Sequence, residues 1–214
     1  MKIKTLVPIL VLIGIAGCST LYFAGMEKIG IQKREIMVDR VKAARDTQKE
    51  AKEQFVNALE QFKSVVAVQG GDLEKKYNQL SATLERSEAE AEAVRSRIKS
   101  VEEVSTALFA EWKKEIAQYN SETLRRSSQQ KYDAAEEKYE QLMKAMKKAE
   151  SRMEPALVPL RDQVLYLKHN LNAKAIAGLS DEVVTVETRV DKLVSDIEAA
   201  VAEADEFIAQ LQEE

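Results

Sequence analysis

Apolar side chains recur every three and then four residues along most of the chain, in four runs separated by short polar or glycine-containing stretches. The first run is Met37, Val41, Ala44, Gln48, Ala51, Phe55, Ala58, Phe62 and Val65. It stops at Gln69-Gly70-Gly71-Asp72, where glycine suits a left-handed C-terminal cap and Asp72 suits an N-cap for the next helix. The second run is Leu73, Tyr77, Leu80, Leu84, Ser87, Ala91, Val94, Ile98, Val101, Ser105, Leu108 and Trp112. From Tyr119 to Gln130 the pattern lapses into cap-forming and turn-forming side chains, which predicts the second reversal there. The third run is Tyr132, Ala135, Tyr139, Leu142, Met146, Ala149 and Met153, continuing as Ala156, Leu160, Val164, Leu167 and Leu171. Gly178 is the expected cap, and Ser180-Asp181-Glu182 opens the last helix with an N-cap and two acids at the positive end of its dipole. That helix carries Val183, Val186, Val190, Leu193, Ile197, Ala200, Ala204, Phe207 and Leu211.

Only Gln48, Ser87 and Ser105 interrupt this seam in a chain that is 45% apolar, so the repeat is not chance. A sustained period of 3.5 residues predicts packed, left-handedly supercoiled helices. Helices of roughly 35–48 residues would reach about 50–70 Å at about 1.5 Å per residue. The expected fold is all-α, a long antiparallel up-down-up-down bundle of four helices with coiled-coil (heptad) packing. A splayed pair of hairpins that completes its core as a homo-oligomer is the alternative. Pro155 and Pro159 each remove a backbone donor, so the third helix is expected to kink there or to end and restart at Glu154-Pro155.

The first residues follow a different pattern. Lys2 and Lys4 precede an apolar run from Leu6 to Ile15, and Ala16-Gly17 then leads into Cys18. Residues 1–17 therefore read as a secretory signal, too short to span a bilayer as a helix. Ile15-Ala16-Gly17-Cys18 resembles the lipobox of bacterial lipoproteins. The resemblance implies cleavage before Cys18, a diacylglycerol on its sulfur and acylation of its new amine. Three acyl chains at roughly 0.8 kcal/mol per buried CH₂ make a permanent anchor. The rival is a signal anchor, because apolar character continues to Met26 past Ser19 and Thr20. Either way the positive-inside bias leaves Lys2 and Lys4 in the cytoplasm and the body of the chain outside it. Residues 18–25 form a short apolar linker, and a single elongated domain is expected over 26–214.

Composition narrows the function classes. With 32 basic and 36 acidic residues the formal charge is −4, and losing Lys2 and Lys4 makes the remainder more acidic. A nucleic-acid partner, which needs a net basic face, is therefore not expected. One cysteine excludes a disulfide framework within the chain, and one histidine cannot supply a di-iron bundle or an ordinary zinc site. Gly70-Gly71 lacks the Lys-Ser or Lys-Thr of a phosphate loop, and no convergent nucleophile, base and oxyanion donors can be named. No catalytic residue, metal or cofactor is expected.

Two polar groups remain as candidates for contact with a membrane or a partner. Lys28, Lys33 and Arg34 follow the linker closely, as helix-start cations or as head-group contacts. Lys168, His169, Asn170 and Asn172 interrupt the third seam beside Leu167 and Leu171, facing either a partner or another helix whose register they fix. The chain resembles an uncharacterised family of bacterial coiled-coil lipoproteins, domain of unknown function 2959. The likeness lies in Glu27-Lys28-x-Gly30-x-x-Lys33-Arg34, Asp39-Arg40-Val41, Ala44-Arg45-Asp46-x-Gln48, Leu124-Arg125-Arg126-Ser127 and Leu167-Lys168-His169-Asn170-Leu171-Asn172. It implies an envelope location and brings no activity or ligand. Ser19 after the cysteine resembles the sorting residue of outer-membrane lipoproteins. The expected function is a non-enzymatic scaffold, held by its lipid on the periplasmic face of the outer membrane and binding another envelope component. A periplasmic holdase or lipid carrier with an apolar cleft between hairpins is the alternative.

Overall fold

The computed structural model describes residues 33–67, 73–170 and 178–213, together with Asn172 and Ile176. Four helices account for nearly all of them: α1 (Lys33–Val66), α2 (Leu73–Ile116), α3 (Glu122–His169) and α4 (Ser180–Glu213). Each helix packs against its neighbours in sequence, and α4 returns to close on α1. The result is an antiparallel four-helix bundle.

Burial follows the apolar spacing. All nine positions of the first run are buried, Gln48 among them, and so are Val186 through Leu211 of the last. Among the described residues of the two middle runs only Leu73, Tyr77, Trp112 and Tyr139 remain partly exposed. Small and large side chains alternate along the core: Ala44, Ala51, Ala91, Ala149, Ala200 and Ala204 sit among Phe55, Phe62, Met146, Met153 and Phe207. Such alternation lets the helices approach closely without voids. Polar flanks then fix the register between neighbours. Arg45 meets Asp205 at 2.6 Å and Lys63 meets Glu187 at 2.5 Å across α1 and α4. Lys138 meets Glu206 at 3.1 Å across α3 and α4, and Arg161 meets Glu88 at 2.7 Å across α2 and α3.

The helix ends refine the expectations. The reversal expected within Tyr119 to Gln130 falls at the start of that stretch, because the second helix ends at Ile116 and α3 begins at Glu122. Ser121 caps it, its Oγ accepting from the Leu124 N–H at 3.4 Å. The first two turns of α3 face water, so no apolar stripe marks them. At its other end α3 stops at His169, well before Gly178. Asn170 ends it by donating its backbone N–H to Leu167 O at 3.2 Å and its side-chain amide to Tyr166 O at 2.9 Å. An asparagine side chain that competes for backbone carbonyls in this way favours termination. Finally, α3 does not restart at Pro155; it is one helix through both prolines. A helix normally pairs each carbonyl with the N–H four residues on, so Pro159 leaves Pro155 O without its usual donor. Arg189 of α4 supplies one, its Nη1 donating to that oxygen at 2.8 Å. The Gly70-Gly71 turn and the Asp72 cap lie outside the described residues.

Candidate functional site

The two ends of the bundle differ in what they do with their polar and apolar side chains. At the end where α1 begins, Lys33 is mostly buried and its Nζ lies 2.7 Å from Glu111 of α2. Arg34 lies over the Trp112 ring with its guanidinium carbon 5.5 Å from the centroid, a cation–π contact. Both cations therefore join α1 to α2. Trp112 donates its Nε1 hydrogen to Ser128 Oγ at 3.0 Å and meets Tyr132 edge-on at 5.7 Å. Phe109 meets Tyr132 and Tyr139 at 5.6 and 5.4 Å. This aromatic cluster, with Ile116 and Ala135, is a small second core built from residues of α2 and α3. Tyr132 donates to Glu136 Oε1 at 2.7 Å. Burial and that carboxylate push its phenol up to about 12.

Beyond the cluster the α2–α3 connection leaves its apolar side chains outside. Tyr119 is 40% and Leu124 56% exposed. Lys113, Lys114, Arg125 and Arg126 around them are exposed as well, and Arg125 and Arg126 share the carboxylate of Glu122. Sequence reasoning assigned this segment to a turn and missed it as a surface. The nearest signal was the Arg125-Arg126 pair beside an off-seam leucine.

The opposite end is arranged the other way. In the α3–α4 connection Ile176 and Leu179 are buried, and Ile176 N–H donates to Asn172 O at 3.1 Å. Asn170 and Asn172 are thus turn and cap residues, whereas Lys168 and His169 point outward. Along the outer side of α3 leading up to them, Val158, Leu165 and Tyr166 are exposed. These off-seam apolar residues also went unnoticed in the sequence, although their spacing places Val158 and Leu165 on one stripe.

Among the described residues, no group of three or more His, Cys, Asp or Glu side chains could hold a metal ion. No helix there is long and apolar enough to cross a membrane. A surface groove between the start of α1 and the end of α4 is lined by Arg34, Glu35, Val38, Asp39, Lys42, Leu211 and Gln212, a mixed set of charged and apolar side chains. Cys18 and Lys28 lie outside the described residues.

Residues 22–211 match the profile of the family described as "Protein of unknown function (DUF2959)". The chain belongs to this family. The match spans all four helices, so in this chain the family's domain takes the form of the closed four-helix bundle. No curated protein matches the chain.

Proposed function

We propose that this member of the family is a non-enzymatic envelope scaffold: a rod tethered through acylated Cys18 to the periplasmic face of the outer membrane, presenting its flank to another envelope component. The observation that carries this reading is the outward stripe of Val158, Leu165 and Tyr166 on α3, which leads to the exposed Lys168 and His169. An exposed apolar stripe bordered by polar and charged side chains is a surface for a partner. In this reading the seam packs as a coiled coil and α3 bends at Pro155 and Pro159, setting the arm that bears the stripe apart from the arm packed by Leu142 and Met146. The partner is another envelope protein, with a second copy of the chain as the homo-oligomeric case.

A photo-crosslinking amino acid placed at Leu165 of the full chain in cells tests the flank. One discrete crosslinked species is expected there and none from the same probe at Glu137, an exposed position of α3 outside the stripe. No adduct at Leu165 would remove the proposal. The tether has its own test: wild type incorporates radiolabelled palmitate and Cys18→Ser does not. Equal incorporation by both would exclude the lipobox.

A further inference from the structure

We infer that the α2–α3 tip is a second membrane contact, with Tyr119 and Leu124 entering the lipid interface and Lys113, Lys114, Arg125 and Arg126 meeting anionic head groups. This rests on the tether proposed above. The topology supplies the direction. The α2–α3 connection lies at the end where α1 begins, whereas the α1–α2 and α3–α4 connections lie at the other. Residues held at the membrane through Cys18 are followed by α1, so the tip faces that membrane.

The tip also reaches furthest toward it among the described residues. Lys33 pairs with Glu111, so α1 begins level with that residue, and α2 runs on to Ile116, about 8 Å further at about 1.5 Å per residue. Lys138 pairs with Glu206, so α4 ends near the level of residue 131 of α3. The start of α3 at Glu122 projects past that level by about 14 Å. The tether permits contact, since the chain from Cys18 to Lys33 spans at most about 50 Å when extended.

The chemistry of the tip fits a lipid occupant. Among the described residues of the far connection, Ile176 and Leu179 are buried at 2% and 5% exposure, with Val184 exposed one turn into α4, whereas both Tyr119 and Leu124 stand in water. Tyrosine is favoured at the membrane interface, and lysine and arginine beside it keep their charges at head-group level while their stems lie along apolar surface. Between residues 113 and 126 the four cations face only Glu115 and Glu122, a local positive excess in a chain of net charge −4. Juxtamembrane cations of this kind are drawn to anionic lipid. A protein partner docking end-on would need about 800 Å² of complementary surface per side, more than a hairpin tip with two exposed apolar side chains offers. Lipid needs only insertion. With tether and tip both engaged, the rod is held at two points and its tilt is fixed, which sets the direction in which the α3 stripe faces.

An environment-sensitive fluorescent amino acid at Asn120 of the full acylated chain, reconstituted into phosphatidylethanolamine–phosphatidylglycerol vesicles, tests the contact. The expected result is a blue-shifted emission quenched by brominated lipid chains, with no such change from the same probe at Lys168. The shift should be lost in Tyr119→Ser/Leu124→Ser, which alters only exposed side chains, while flotation with the vesicles and the helical circular dichroism stay unchanged. Emission typical of water at Asn120 in a chain that floats would overturn the tip contact and leave the tether standing. A chain that does not float at all would overturn both. Shielding of the probe in native membranes but not in protein-free vesicles would replace the lipid occupant by a protein.

Discussion

Gln48 is fully buried on the α1 seam, and neither its amide nitrogen nor its oxygen has a hydrogen-bond partner among the described residues. An unsatisfied buried amide costs about 1–3 kcal/mol, so a polar side chain in a core of alanine and methionine is stabilised by nothing local. Gln48→Met, close in shape and without the amide, should raise the unfolding free energy by about 1–2 kcal/mol in chemical denaturation. An unchanged or lowered value would mean that the amide is satisfied in solution. Asp196 is a contrasting case. It is 12% exposed and meets Lys148 at 2.7 Å and Arg152 at 3.1 Å, both from α3. The Lys148 hydrogen bond, opposed by burial and aided by Arg152, holds its carboxyl below the usual carboxylate range. A carboxyl depressed in the folded state adds stability above its unfolded pKa of about 4 and loses it as the pH falls through the folded value. Asp196→Asn should therefore cost about 1 kcal/mol at neutral pH, since both cations stay largely in water. The gap between wild type and variant should close in denaturation curves taken at progressively acid pH below about 4.

At the scale of the helix, the two prolines show how a neighbour can repair a local defect. Pro155 O lacks its helical donor because the residue four on is Pro159, and Arg189 of α4 fills the gap at 2.8 Å. Arg189→Ala should then cost about 1 kcal/mol in wild type and much less in a Pro159→Ala background, where the backbone N–H returns. A double-mutant cycle by thermal melts measures that coupling, and strictly additive effects would refute it. The same scale shows what was legible in the sequence. Seam positions could be read because apolar identity at three-four spacing is itself the cause of burial, and even the interruptions at Gln48, Ser87 and Ser105 proved to be inside. Helix ends were harder. Ser121 and Asn170 are cap formers, but they stand among other residues with the same capacity, and only the geometry decides which one caps. Lys33 and Arg34 were ambiguous for a related reason. A long cation near a helix start looks the same whether it meets lipid or, as here, a glutamate and a tryptophan on another helix. The exposed tip could not be read at all, because its residues break the very pattern by which helices are recognised.

For the whole molecule, one continuous core along four full-length helices predicts one cooperative unfolding transition. Ala58→Glu in α1 and Ala204→Glu in α4 each place an unpaired charge in that core and should lower the single melting temperature sharply, by several kcal/mol of stability. Ala89→Glu, on the exposed side of α2, should leave it nearly unchanged. Alike melts for the three variants would contradict the burial pattern.

The closure of α4 on α1 bears on how the chain can fold. The pairs that seal this seam join residues 124 to 160 positions apart, Lys63 with Glu187 and Arg45 with Asp205. In a chain that arrives N-terminal side first, α1, α2 and α3 can collapse early while the groove that α4 fills stays open to water. Contacts this distant in sequence form late and slowly. Until the 34 residues of α4 arrive, part of the α1 seam is uncovered, and a chain halted before Ser180 is a sticky, aggregation-prone species. The helix that completes the rod is also the one that covers its exposed apolar groove.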